Sequence, residues 1–298
     1  MGKFVKRLND YSCIEKNDTI DITYLSHYTS NIKALSNICK GEFWATDIKD
    51  FGDKCEGRLI LQRINEIISK LSIFSYDQKQ YVYNLIGNDS KIENFISEHR
   101  TAVLSMCLDT DSDYLWDNYA TENGYNIIFD KNVFVNSLFF LTANGERKGK
   151  SYVKHSKIIY DSKEQVEIIK KEINDLMALN EMGFDDAVKI EYILRHLMYV
   201  GNFYKQEYDS ENQYKNEQEY RFLINTVVPT EKYPEIEEMI PKYCYNDKNN
   251  CHYNILRFDE KSIKTIVCNS RKAKENLENI IMDIPVKIRK IDSEKHLS

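Results

Sequence analysis

In the segment NEQEYRFLI, acidic and basic side chains recur at every second position: Glu217, Glu219 and Arg221. In an extended strand alternate residues share a face, so these three would stand together with Leu223 while Tyr220, Phe222 and Ile224 face the other way. Carboxylates two residues apart lie roughly 7 Å apart, at a rise of about 3.3 Å per residue. On a sheltered face their mutual repulsion raises one pKa while Arg221 holds the other carboxylate ionised. That arrangement prepares a carboxylate for catalysis. On the solvated face of an edge strand the same residues need no function at all, and spacing alone leaves both readings open.

Other residue types invite chemistry elsewhere in the chain. His27 lies in ITYLSHYT, which reads as a strand, beside polar Ser26, Thr29 and Ser30 near the start of the helical pattern SNIKALSNICKG. An imidazole there can hydrogen-bond a hydroxyl, and a helix start can receive an anion through its free N–H groups. Asp53 and Glu56, in the polar loop FGDKCEG, can hold a metal ion or cap the next helix. Trp116 and Tyr119 are three apart on a short helix, so they should point the same way, as a stacking platform or as buried packing. His196, in an apolar helix beside Tyr192 and Tyr199, reads as a satisfied core histidine. Cys244 and Cys251-His252 have no second close pair, which argues against a structural zinc site. There is no G-x-S-x-G, H-E-x-x-H, Walker loop or G-x-G-x-x-G, which excludes a P-loop enzyme or a glycine-loop dehydrogenase.

The elements that must position these residues follow from periodicity. Strands are expected at ITYLSHYT, EFWAT, TAVLSMCLD, GYNIIF, KHSKIIY, EQEYRFLINTVV, HYNILRF, SIKTIVCN and PVKIRKI. Helical patterns fill two stretches, 58–100 and 162–205, with Ser162 and Gln165 as a capping box for the second. Gly41 suits the left-handed position after the first helix. The closing strand, helix and strand suggest a parallel crossover. Strands spread along the chain with helices grouped in two insertions favour a single α+β domain over residues 1–298, built on a mixed β-sheet.

Composition narrows the class. The 298 residues, 42% hydrophobic and 30% charged, are those of a globular protein. A net charge of -6 gives no overall basic field for nucleic acid, though a local basic groove stays open. The 21 Tyr follow from AT-rich codons, whereas only 10 Gly, none after Gly201, leave no glycine-rich phosphate loop. Seven scattered Cys, no apolar leader and no apolar run near the roughly 20 residues of a membrane span point to a cytoplasmic chain with reduced thiols and no membrane partner.

Taken in order, YLSHYTS, FWATDIKDFGDKCEG, LSMCLDTDSDYLWDNYA, GYNIIF and NEQEYRFLI resemble the bacterial domain-of-unknown-function family 2971, from about Tyr24 to Ile291, with Gly52 and Leu115 as departures from its pattern. More weakly, a strand His, a Thr/Ser-started helix, distant aromatics and an E-x-E strand are similar in order to ADP-ribosyltransferases of the His-Tyr-Glu type. That likeness implies an ADP-ribosyltransferase-like fold and NAD as substrate. It places His27 against the ribose with Thr29 or Ser30 in support, and Tyr119, or alternatively Trp44 or Trp116, on the nicotinamide. Glu219 becomes the catalytic carboxylate, Glu217 the group that orients ribose or deprotonates the acceptor, and Arg221 a partner of the pyrophosphate. The implied role is a toxin or phage-defence effector modifying a protein or nucleic acid. Two other readings are a metal-dependent phosphodiesterase or nuclease built on Asp53, Glu56, Glu217 and Glu219, and a non-catalytic binding module.

Overall fold

The structure is a computed structural model that describes residues 22–51, 58–90, 92, 100–178, 186–208, 213–226, 239–277 and 283–289. Its strands are β1 (Tyr24–Thr29), β2 (Glu42–Asp47), β3 (Thr101–Cys107), β4 (Tyr125–Asp130), β5 (Phe139–Leu141), β6 (Arg147–Gly149), β7 (Lys154–Lys157), β8 (Glu219–Asn225), β9 (Tyr243–Asn246), β10 (Cys251–Arg257), β11 (Ile263–Cys268) and β12 (Val286–Ile288). All join one mixed sheet in the order β12-β11-β4-β1-β3-β2-β10-β5-β6, with β8 pairing β3 and β7, and β9 pairing β10. The pairs are antiparallel except β11 with β12, as the expected crossover requires.

The pairing of β3 shapes the centre of the sheet. On one side it follows β8 along its length, from Thr101↔Asn225 to Cys107↔Glu219. On the other it meets β1 only at Ser26↔Cys107 and β2 only at Thr46↔Val103 and Asp47↔Ala102. Thus β3 passes from one neighbour to the next, and β1 and β2 part beside it. Strand β8 is flanked by β3 and β7 and buried along nearly its whole length. It is not an edge strand, and the solvated-face reading of Glu219 and Arg221 is thereby overturned.

Each face of the sheet carries its own core. On one, Phe43, Phe129, Phe134, Phe222 and Phe258 pack ring against ring, joined by residues of α1 (Ile32–Ile38), α4 (Lys131–Ser137) and α7 (Arg271–Leu277). Tyr220, Phe222 and Ile224 of β8 point here, as alternation predicts. On the other face, Val103 and Leu223 meet α2 (Leu59–Ile67), α3 (Tyr76–Ile86), α5 (Ser162–Ala178) and α6 (Asp186–Gly201). The two helical stretches expected from the sequence therefore share one apolar core. Burying aliphatic side chains such as Ile60, Ile64, Ile169, Ile193 and Leu197 contributes about 1.5–3 kcal/mol each, the gain that holds the layer to the sheet.

Local chemistry sets the element ends, with one departure from expectation. Gly41 adopts φ 74° after α1, as expected, and the cap of that helix is Asn31, one of the two residues, Ser30 and Asn31, suited to it; its Oδ1 accepts from the N–H groups of Lys33 and Ala34. At α5 the expected Ser162–Gln165 box is replaced by Asp161, which accepts from Glu164 N–H at 2.8 Å. Gln165 turns inward instead, donating to Ile159 O at 2.7 Å and Lys205 O at 2.9 Å while accepting from Arg63 Nε. An amide with three good partners inside outcompetes a surface cap. His196 is a core histidine, donating to buried Glu172 at 3.2 Å.

Among the described residues no helix is long and apolar enough to cross a membrane. Cys39, Cys107, Cys244, Cys251 and Cys268 are free thiols. Asp53 and Glu56 lie outside the described residues.

The fit between α2 and α6 is close enough to test. A Cβ at Gly201 would come within 2.6 Å of Ile60 Cβ. Gly201→Ala should force the helices apart and cost about 1–3 kcal/mol, read as a lower urea midpoint at unchanged slope. An unchanged midpoint would contradict this packing.

Candidate active site

The cleft is built where β1, β3 and β8 come together. Residues Tyr214–Glu217 form a short 3-10 turn, and Gln218 takes a left-handed conformation (φ 44°, ψ 49°) before β8 begins at Glu219. Glu217 is therefore not on the strand, and the simple i, i+2 spacing does not apply to it. The kink still leaves both carboxylates within reach of one cation. Lys205 Nζ donates to Glu217 Oε2 at 2.7 Å and to Glu219 Oε2 at 3.4 Å.

Glu219 is held from every side. Arg221, two residues on and on the same face, donates through Nε to Oε1 at 2.7 Å and through Nη2 to Oε2 at 3.0 Å. Ser105 Oγ, on β3 opposite Arg221, also donates to Oε1. The third guanidinium nitrogen donates to Asn202 O at 2.9 Å, beyond the end of α6. Glu219 N–H donates to Tyr160 Oη at 3.0 Å, and its carbonyl accepts from Ile158 N–H at 2.8 Å. Burial alone pushes the Glu219 carboxyl up, but the charges of Arg221 and Lys205 prevail and hold it at about 2. Lys205 is subject to the converse balance: burial lowers it, and Glu219 and Glu217 carry it above the ordinary lysine value.

Glu217 receives a further hydrogen bond from Tyr119 Oη at 2.7 Å. Tyr119 is 47% exposed, whereas Trp116 is 1% exposed. The two do not share a face because residues Trp116–Ala120 form a π-helical turn, a form frequent at functional sites, where three residues no longer complete most of a turn. Trp116 instead donates to Asp111 Oδ1 at 2.9 Å and packs edge-on against Tyr28.

His27 enters from β1 where the sheet parts. Its Nδ1 lies 3.3 Å from Ser105 O, and since a carbonyl only accepts, Nδ1 carries the proton and Nε2 the lone pair. Burial holds the imidazole neutral, with its pKa lowered to about 4. Its ring packs edge-on against Phe43.

A cleft of about 280 Å³ is lined by His27, Tyr119, Lys205, Glu217, Glu219 and Arg221, among others. Ser26, Ser105 and Cys107 also border it. Burial pushes the Cys107 thiol up to about 12, so it is protonated and not a nucleophile. Ser26 Oγ is wholly buried, with no partner among the described residues, which leaves a hydroxyl for a ligand.

Not every expected site residue is here. Thr29 Oγ1 accepts from Asn31 N–H, Ser30 is exposed, and neither lines the cleft. Trp44 faces outward from β2 and stacks on Tyr253 at 4.3 Å, and Trp116 is core, so neither is placed to cover a ligand in this cleft. Lys205 and Ser105 were not foreseen: a lysine beyond a helix and a serine within a strand carry no spacing signal.

Residues 115–222 match the family model described as Protein of unknown function (DUF2971). The resemblance to DUF2971 is shown. The match takes in Tyr119, Lys205, Glu217, Glu219 and Arg221, and leaves out His27, so it is narrower than the span expected from the motifs. No curated protein and no solved structure matched.

The charges and burial in the cleft have measurable consequences. Arg221→Met leaves Glu219 buried without its main partner and should cost about 3–5 kcal/mol; a loss below 1 kcal/mol would contradict the pairing. Because the folded-state pKa of Glu219 is depressed from 4.5, its contribution is present above about pH 4.5 and lost as pH falls toward 2, by about 3 kcal/mol. His27 acts in the same sense at higher pH, its contribution lost as pH falls from about 6.5 through 4. Proton NMR should find the His27 ring titrating near pH 4, and a midpoint above 6 would contradict its burial.

Proposed function

We propose that the cleft binds NAD and transfers ADP-ribose to a macromolecular acceptor, on an ADP-ribosyltransferase-like core. The observation that carries this reading is the convergence of a neutral histidine, His27, a tyrosine at the mouth, Tyr119, and two carboxylates, Glu217 and Glu219, from three distant parts of the chain in one cleft. At about 280 Å³ the cleft is at the small end of ligand pockets, so it suits part of a dinucleotide, the nicotinamide and its ribose.

The chemistry assigns different work to each group. The bond from ribose C1′ to the nicotinamide nitrogen breaks, its electron pair leaving with nicotinamide, and the ribose gains oxocarbenium character. Glu219, ionised at any neutral pH, stabilises that developing positive charge. A carboxylate held at about 2 is a weak base, so deprotonating the acceptor falls to Glu217 as the acceptor bonds to C1′. His27 Nε2 accepts from a ribose hydroxyl and Tyr119 covers the nicotinamide, while Arg221 and Lys205 balance the charge of the two carboxylates; Arg221, wholly buried and bonded to Glu219 and Asn202 O, is not placed to meet the pyrophosphate. The metal-dependent alternative fits less well. The Glu217 and Glu219 oxygens are taken by ammonium, guanidinium and hydroxyl donors.

Purified protein incubated with NAD should release nicotinamide. Folded Glu219→Gln should lower the rate by ~10²–10³-fold, Glu217→Gln should impair transfer to acceptor, and Tyr119→Ala should raise KM. Equal release by wild type and folded Glu219→Gln, or chelator-sensitive nucleic-acid cleavage, would overturn the assignment; no turnover of any kind would leave a binding module.

A further inference from the structure

The turn that carries Tyr119 ends on a strained residue. Thr121, which follows the π turn Trp116–Ala120, has φ 57° and ψ −171°. Only glycine adopts that combination freely, and the branched Cβ of threonine makes it costlier still. Gln218, which also has positive φ beside the cleft, is different: at φ 44° and ψ 49° it lies in the left-handed region that L-residues do visit. Strain of the Thr121 kind persists only where its surroundings over-determine it, and it gathers at ligand clamps.

The surroundings do so from two sides. Before the turn, Trp116 is fixed by its hydrogen bond to Asp111 and by the Arg289 guanidinium, 5.1 Å from the centre of its ring. Its carbonyl accepts from Thr121 N–H at 2.7 Å, the bond that closes the π turn. After the turn, Asn269, the first residue beyond β11, donates through Nδ2 to Thr121 O at 2.7 Å and through its backbone N–H to Gly124 O at 3.0 Å. Gly124 admits this close return of the chain, since a Cβ there would lie 1.7 Å from Ala120 O. Between the two anchors Asp117, Asn118 and Tyr119 are exposed, and the Tyr119 hydroxyl reaches Glu217.

We propose that Asn269 is a positioning residue for the cleft: by clasping Thr121 it holds the turn in the π form that sets Tyr119 against Glu217. Asn269 itself does not line the cleft. Without the clasp, Thr121 would relax to negative φ, where its N–H no longer meets Trp116 O. An α-helical turn would donate that N–H to Asp117 O instead and carry Tyr119 further round from the anchored Trp116. The consequence for catalysis rests on the transferase reading, in which Tyr119 covers the nicotinamide, but the clasp itself does not require NAD.

The test is carbon-13 NMR of the full chain labelled at the tyrosine Cζ, without NAD, with the Tyr119 signal identified by its loss in Tyr119→Phe. Asn269→Ala should move that signal as far as Glu217→Ala does. Adding Thr121→Gly should return it to the wild-type position, since glycine holds this conformation without a clasp. Thr121→Gly alone should leave the signal in place and raise the urea midpoint, because strain is relieved. An unmoved signal in Asn269→Ala, no recovery in the double variant, or a lower midpoint for Thr121→Gly would overturn the proposal. An asparagine with a merely structural role would lower the urea midpoint and leave the tyrosine signal unmoved. With NAD, Asn269→Ala should raise KM about tenfold, the order of one lost aromatic contact, with kcat nearly unchanged. No nicotinamide release by the wild type would remove the transferase reading and leave the clasp to stand or fall on the tyrosine signal.

Discussion

The buried pair of Glu219 and Arg221 is the interaction on which the cleft depends. The attraction between two opposite charges on one strand face would be screened by water at a surface, but here β3 and β7 flank the strand and the helical layer closes over it. Removing them from water is costly, and only bidentate geometry with further donors offsets the cost. Ser105, Asn202 and Lys205 complete that geometry from β3 and from beyond α6. The charge pair therefore ties sheet to helices at the place where a ligand would enter.

The parting of β1 from β2 gives the pair access to a ligand. Because β3 exchanges one neighbour for the other, the backbone is not fully covered near Ser105, and His27 reaches its carbonyl there. Lys205 is placed by a different device, the inward-turned Gln165, which accepts from Arg63 and donates to the Lys205 carbonyl. Sheet topology and a buried amide thus bring together residues that are far apart in the chain.

Much of this was legible in the sequence. Strand alternation assigned Tyr220, Phe222 and Ile224 to a core face and Arg221 to the other, because the period of two survives in any strand. The β1 position of His27, the Gly41 turn, the two helical stretches and the satisfied role of His196 were legible for similar reasons of period and local chemistry. What failed were features set by tertiary context. The left-handed Gln218 takes Glu217 off the strand without a glycine to announce it, and the π turn separates Trp116 from Tyr119 where an α-helix would align them. Thr29, Ser30 and Trp44 carried suitable chemistry, yet side-chain direction placed them elsewhere.

The central claim is that His27, Glu217 and Glu219 surround one ribose of NAD. A crystal structure of the protein with NAD or a non-hydrolysable analogue tests it most directly. The account predicts density for nicotinamide and its ribose between His27 and the two glutamates, with Ser26 Oγ or Lys205 in contact with it. Ligand density outside this cleft, or an empty cleft at saturating NAD, would contradict it.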